Sequence, residues 1–184
     1  VLTVTAPGVP EITRPGHFAA IAIGDLDSSG LILRRAFSIH GVQSRGIYGG
    51  TIDLVIADSG PGTHWLTQRR RGDALDIVAP LGRPFSLPRD PVSCALVGGG
   101  YGAAPLVMLA EHLRERGCRV DVVLGASTED KLFGVLDAKR IASTVTITTE
   151  DGSAGVPGRV TDPLVDIMAR ANTDVVYACG PMGM

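Results

Sequence analysis

The run Gly98-Gly99-Gly100-Tyr101-Gly102-Ala103-Ala104-Pro105 joins an apolar stretch, Ser93 to Val97, to a helical one, Ala103 to Arg116. Within the latter, Leu106, Leu109, Ala110 and Leu113 share one face at helical spacing. A buried strand that turns on glycine straight into a helix leaves few architectures open. The same rhythm continues downstream, with strands at Val120 to Leu124, Val145 to Thr148 and Asp174 to Ala178, and helices at Thr128 to Leu136 and Pro163 to Arg170. Strands alternating with helices predict a parallel sheet covered on both faces, with right-handed crossovers and a ligand crevice at the carboxyl ends of its strands. The glycines let backbone approach a pyrophosphate closely, and the N–H groups opening the helix attract its charge. The spacing is not GxGxxG: Ala103 and Ala104 stand where the later glycine would come, and Pro105 lies in the first helical turn. Tight strand-to-helix packing is the other reading of the same residues.

The first half of the chain has a different pattern. Short strand-like runs at Val1 to Thr5, Phe18 to Ile23, Leu31 to Ile39, Thr51 to Ile56 and Ala74 to Val78 are separated by Pro7-Gly8, Pro15-Gly16, Gly49-Gly50 and Pro61-Gly62. They predict a small antiparallel β-barrel. One short helix is expected at Thr63 to Arg71, capped by Thr63 and stopped by Gly72. Ser86-Leu87-Pro88-Arg89-Asp90-Pro91 has two prolines and no apolar period, so the domains are expected at 1–87 and 92–184.

Composition narrows the function. A net charge of -2 and eight aromatics (one Trp, three Tyr, four Phe) offer neither a basic field nor stacking rings for nucleic acid. The uncharged stretch Cys94 to Ala110 contains four glycines and a proline, unlike a membrane span of about 20 apolar residues. Neither nucleic acid nor a membrane is an expected partner. Cys94, Cys118 and Cys179 lie far apart, without metal-ligand spacing or a disulfide framework, which points to a reducing, cytoplasmic compartment. The chain starts at Val1 without Met and stops just after Cys179-Gly180-Pro181, so material is expected to be missing at both ends. His17, His40, His64 and His112 show no ligand spacing.

Three further stretches carry chemistry. In Arg34-Arg35-Ala36-Phe37-Ser38-Ile39, strand alternation sets Arg35 beside Phe37, a cation for phosphate next to an aromatic ring, with the Ser38 hydroxyl nearby; a solvated edge strand reads equally well. Gly60-Pro61-Gly62-Thr63 opens a helix and can hold a second phosphate or simply cap it. Cys179-Gly180-Pro181 ends the last apolar strand, where the parallel sheet presents its crevice.

In this order, a barrel with Arg-x-Phe-Ser, then Gly-Thr, then Gly-Gly-Gly-x-Gly-x-x-Pro, then Cys-Gly-Pro, the chain resembles the ferredoxin-NADP reductase superfamily over nearly its whole length. More narrowly it resembles the electron-transfer subunits of the two-subunit, NAD-linked dihydroorotate dehydrogenases. The likeness rests on Pro15-Gly16-His17-Phe18, Arg35 to Ile39, Pro80 to Phe85, Gly98 to Pro105, Glu150 to Gly155 and Cys179 to Met184. The resemblance implies a flavin-binding barrel of reductase type followed by a nicotinamide-nucleotide domain, with FAD and NAD as cofactors. It implies that Arg35 meets the FAD pyrophosphate, that Ala36 and Phe37 lie along the flavin and that Ser38 faces its reactive edge. Val55, Ile56 and Ala57 would touch the flavin through their strand, and Gly62 and Thr63 would donate backbone N–H groups to its pyrophosphate. Gly99, Gly100 and Gly102 would line the nicotinamide nucleotide site, with Cys179 and Gly180 close to the nicotinamide. Ser38 and Cys179 are thus the expected catalytic residues.

The expected partner is a catalytic dihydroorotate dehydrogenase subunit carrying FMN, in a hetero-oligomer that serves pyrimidine biosynthesis. Electrons would pass through a 2Fe-2S centre whose cysteines lie beyond Cys-Gly-Pro, in a segment not in this chain; Cys94, Cys118 and Cys179 cannot substitute, because a cluster needs four converging thiolates. His17 and Phe37 depart from the family pattern, where an amide and a smaller residue are usual. Ser127-Thr128-Glu129-Asp130, following the second parallel strand, favours NAD, since acids suit a ribose diol and a 2′-phosphate would want Arg. A stand-alone NAD(P)H-dependent flavin or ferredoxin reductase of the same superfamily, and a scaffold that has lost its flavin, are the competing readings.

Overall fold

A computed structural model describes residues 1–24, 33–44, 49–182 and 184. They form two compact units, Val1–Pro84 and Phe85–Met184. In the first, β1 (Leu2–Thr5), β2 (Phe18–Ile21), β3 (Arg35–Gln43), β4 (Thr51–Leu54) and β5 (Ile77–Leu81) make an antiparallel sheet in the order β1-β4-β3-β2-β5. Ile21, Ile39, Ile52 and Leu54 are completely buried and, with Ala19, Ile23 and Leu66, form its core. This is the antiparallel half that the turn spacing predicts.

Its details differ from the sequence pattern where tertiary pairing outweighs local runs. The third strand begins at Arg35 and continues to Gln43, because β4 pairs with it as far as Gln43; Leu31 and Ile32 lie outside the described residues. The last strand is Ile77–Leu81 rather than Ala74 to Val78, in register with Phe18 to Ile21 of β2. A one-turn helix, α1 (Val9–Ile12), is too short to show a period. The helix α2 occupies Pro61–Thr67. Thr63 is therefore not its cap but sits one turn inside, where its hydroxyl oxygen accepts the N–H groups of Ser59 and Gly60, each at 3.0 Å. The Arg69 to Arg71 run falls beyond the helix, and the Arg69 guanidinium stacks on the Trp65 ring 4.1 Å from its centroid.

The second unit contains β6 (Ser93–Gly99), α3 (Ala104–Glu115), β7 (Arg119–Ala126), α4 (Val135–Ile141), β8 (Thr144–Thr149), β9 (Val156–Pro157), α5 (Leu164–Ala171) and β10 (Val175–Cys179). Its sheet, β10-β6-β7-β8-β9, is parallel at every pairing. Leu96, Val120 and Leu124 pack against Leu106, Leu109 and Leu113 of α3 and Ala138 and Ile141 of α4. On the opposite face Val97 and Val123 meet Val160 and Ile167, the latter from α5. Both faces are covered, as the strand–helix alternation predicts.

The expected helix at Thr128 to Leu136 is absent. A 3-10 turn covers Glu129–Lys131, Leu132 is extended, and α4 starts only after Gly134, whose φ of +76 is left-handed. The Pro-rich segment after Pro84 is drawn onto the second unit. Phe85 meets the Tyr177 ring edge-on, and the buried Tyr177 hydroxyl donates to the Ser86 carbonyl at 2.6 Å. Tyr177→Phe leaves that carbonyl unpaired and is expected to cost about 1 kcal/mol, read as a lower urea midpoint; an unchanged midpoint would contradict this packing.

At the amino end of β7 a carboxylate is buried on purpose-built partners. Asp121 is 1% exposed, and it accepts from Arg119 Nε at 2.8 Å, Arg119 Nη2 at 3.2 Å and the Thr144 hydroxyl. Burial alone would raise its pKa, but the hydrogen bonds from Arg119 and Thr144 and the Arg119 charge outweigh it and hold the carboxyl below its ordinary value.

Candidate functional site

In the antiparallel unit the predicted residues gather where β3 begins and α2 starts. Gly62 is buried because a Cβ there would meet Ile23 at 3.3 Å and the Arg35 Nε at 3.6 Å. Arg35 thus lies against the first turn of α2, its Nη1 donating to the Leu33 carbonyl at 3.1 Å. Pro61 has no N–H, and the N–H groups of Gly62 and Thr63 have no acceptor within the helix. The Arg35 guanidinium and the first turn of α2 thus share one spot, which could hold an anion.

Strand alternation places Arg35, Phe37 and Ile39 on one face and Ala36 and Ser38 on the other. Ile39 is fully buried and Phe37 packs on the core, whereas Ala36 is exposed. The Ser38 hydroxyl therefore belongs to the face away from Arg35, not beside it. Val55, Ile56 and Ala57 follow the end of β4 and form the connector to α2 rather than a strand; Ile56 packs on the barrel core.

In the parallel unit a cleft of about 270 Å³ opens at the carboxyl ends of β6, β7 and β8. Gly99, Gly100 and Gly125 line it, with Ser127 and Lys131 on one side and Glu150 and Arg159 on another. Gly100 has φ +53, a conformation glycine takes freely. Pairing of β10 with β6 sets Cys179 opposite Gly98, so Gly99, Gly102, Cys179 and Gly180 lie close together. They divide by role, however. Gly99 and Gly100 face the cleft, whereas Gly102 is turned onto the Cys179 carbonyl, where a Cβ would fall closer than 3.0 Å to backbone. The Cys179 side chain packs toward the core of the unit, and burial pushes its thiol pKa up. Pro105 takes the second position of α3 and removes one of the N–H groups a phosphate would use.

The charged lining was not legible from neighbouring residues in sequence. Lys131 Nζ donates to the Ser127 hydroxyl at 3.2 Å. Glu150 and Arg159, from beyond β8, carry charged ends with no ion pair among the described residues. Glu129 and Asp130, expected to meet the ribose, do not line the cleft. The Glu129 N–H donates to the Ser153 hydroxyl at 2.8 Å, and Ser153 donates through its own N–H and hydroxyl to Asp151, holding that carboxyl below its ordinary pKa. The Glu150 to Gly155 motif is thus a hydrogen-bonded turn that leaves only Glu150 facing the cleft.

Among the described residues, no group of three or more His, Cys, Asp or Glu could hold a metal. Cys94 and Cys118 are buried side by side, and burial first, then the neighbouring Cys118 thiol, raises Cys94 to about 11. Two buried thiols and a third on another strand do not fit a four-thiolate iron–sulfur centre. No helix among the described residues is long and apolar enough to cross a membrane.

An antiparallel unit followed by a parallel unit with a glycine-floored cleft has the architecture of the ferredoxin-NADP reductase fold. Solved structures agree. The structure of an NADH-dependent reduced ferredoxin-NADP oxidoreductase superposes with a TM-score of 0.79 and 32% identity, covering 97% of this chain and 62% of that one. A ferredoxin NADP+ reductase from Neisseria gonorrhoeae with bound FAD and NADP superposes at 0.72 with 17% identity, covering 98% of this chain and 78% of that one, and supports the fold. Among curated proteins, the dihydroorotate dehydrogenase B (NAD(+)) electron transfer subunit of Geobacillus thermodenitrificans is 36% identical over 100% of this chain and 69% of its own length. That of Desulforamulus reducens is 36% identical over 96% of this chain and 65% of its own. The chain belongs to this family, the electron transfer subunits of dihydroorotate dehydrogenase B, and spans about two thirds of the length of these relatives. No protein-family model matches it.

Proposed function

We propose that the chain is the FAD-carrying electron-transfer arm of a two-subunit dihydroorotate dehydrogenase, linking an FMN-bearing catalytic subunit to NAD in the cytoplasm. The observation that carries this reading is the pair of features on one chain, Arg35 against Gly62 and the glycine-floored cleft beyond β6. FAD, when bound, takes up electrons in pairs and releases them singly. The residues of this chain bind and orient. Arg35 and the N–H groups of Gly62 and Thr63 neutralise the pyrophosphate, and the connector Val55 to Ala57 walls the flavin. Phe37 supports the ring, and Ser38 donates at its reactive edge. Gly99 and Gly100 let the nicotinamide nucleotide approach backbone, with Cys179 and Gly180 bordering the nicotinamide. Hydride transfer needs near-attack placement and no general base, so the histidines need no part in it. An iron–sulfur relay to the catalytic subunit would draw its ligands from residues other than Cys94, Cys118 and Cys179.

The test is flavin retention and partnership. The chain soaked with FAD should show flavin absorbance and copurify with a catalytic subunit. Arg35→Ala should weaken FAD binding by about 30-fold, the loss of charge-assisted hydrogen bonds to phosphate, with an unchanged urea midpoint. A colourless soaked chain, or undiminished FAD binding by Arg35→Ala, would overturn the reading.

A further inference from the structure

We infer that the parallel unit carries a second binding site, a cup for a small phosphate monoester at the amino ends of β7 and β8, at the far end of those strands from the glycine-floored cleft. A cavity of about 270 Å³ opens there, lined by Arg119, Asp121, Thr144, Thr146, Ile167 and Arg170. Strand register builds its floor. Asp121 stands beside Thr144 and Val123 beside Thr146, so Arg119, Asp121, Thr144 and Thr146 share the sheet face that α5 packs on. Ile167 reaches down from α5 to Val97 and Val123, and Arg170, in the last turn of the helix, stands at the rim.

The charges in the cup are arranged to receive an anion. Its one carboxylate, Asp121, already has both oxygens occupied: Oδ2 accepts from Arg119 Nε, and Oδ1 accepts from Arg119 Nη2 and the Thr144 hydroxyl. That fork uses one edge of the Arg119 guanidinium and leaves Nη1 with both its hydrogens for a ligand. Arg170 donates through Nε to the Asp166 carbonyl at 3.2 Å and joins no ion pair among the described residues, which leaves its two terminal nitrogens. The carbonyls ending α5 would repel an anion, but they are engaged. The Met168 carbonyl accepts from the Thr173 N–H and the Ala171 carbonyl from the Ser93 hydroxyl, each at 3.0 Å. Two guanidiniums against one paired carboxylate make the cup positive.

Guanidinium forks from two sides and the Thr146 hydroxyl on the floor match the oxygens of a tetrahedral phosphoryl group. Ile167 and Ala171 add an apolar wall for the organic remainder. The volume exceeds what bare phosphate fills and falls just short of the roughly 300 Å³ at which pockets for drug-sized ligands begin, which selects a small ester over a nucleotide.

The test is a titration of the intact chain with glycerol 3-phosphate, read at the Thr144 and Thr146 amides by NMR, with NAD held saturating to occupy the cleft. Saturable shifts are expected with half-saturation at about 1 mM, the yield of two charge-assisted contacts. Glycerol should shift nothing, and inorganic phosphate should bind more weakly than the ester. Arg170→Ala should weaken ester binding about ten-fold and leave the urea midpoint unchanged, because Arg170 is exposed. Arg170→Lys should recover only part of the loss, since an ammonium lacks the fork. No saturation by about 10 mM, a decade above that affinity, or undiminished binding by Arg170→Ala, would overturn the inference. Shifts that vanish when NAD is added would also overturn it and place the ester in the cleft, and succinate binding as tightly as the ester would overturn the phosphoryl class.

Discussion

Gly102→Ala is expected to break the parallel unit, at a cost of about 3 kcal/mol, the upper range for inserting a methyl where nothing can yield. The added Cβ would fall closer than 3.0 Å to the Cys179 carbonyl and to Gly180 Cα, which are backbone atoms of the end of β10 and the turn after it. Neither can swing aside as a flexible side chain can, so β10 and the glycine turn would have to separate. Gly100→Ala supplies the comparison. Its φ of +53 strains an alanine by about 1–2 kcal/mol, yet a Cβ there meets nothing within 4 Å. Urea melts should rank Gly102→Ala well below Gly100→Ala. If the two variants melt alike, the close approach of the turn to β10 is not what the structure indicates.

Arg119→Met should destabilise the same unit by about 3 kcal/mol, because it leaves the Asp121 charge buried with only the Thr144 hydroxyl for company. The figure is at the low end for such a loss because the Arg119 side chain is itself 50% exposed and screened by water. The pH dependence carries the sign. In the wild type the Asp121 pKa is depressed, so its contribution is present above the ordinary carboxylate value of about 3.9 and is lost as pH falls through the lower folded value. Without Arg119, burial dominates and raises the pKa, so the variant should regain stability relative to wild type as pH falls toward 4. The double variant Arg119→Met/Asp121→Leu should recover much of the loss at pH 7. Urea midpoints that stay parallel between pH 4 and 7 would show that Arg119 does not govern this carboxylate.

Much of this could be read along the chain. Periodicity marked β6, α3, β7, α5 and β10 closely, because in each a long apolar run has one answer that buries it. The Gly98 to Pro105 turn and the Arg35 and Gly62 positions were visible as motifs, because glycine and arginine each have narrow physical uses. Where the pattern misled, competing local choices were close in energy. Thr63 is as good an N-cap as an internal hydroxyl acceptor, and the helical residues at Thr128 to Leu136 lose to the Gly134 break. Even the half-burial of Ser38 follows from pairing with β2, not from its neighbours in the chain.

By itself the sequence determined the two architectures, their order and the glycine turn that opens the parallel one, since those follow from apolar spacing and from the few residues that tolerate sharp backbone. Only the tertiary structure decided which charges line the cleft of the parallel unit. Ser127, Lys131, Glu150 and Arg159 come from three segments brought together by parallel pairing of β7, β8 and β9, and the conspicuous acids at Glu129 and Asp130 do not line the cleft. Charge acts through space, and the distances that matter are set by strand register, which no single stretch of the chain contains.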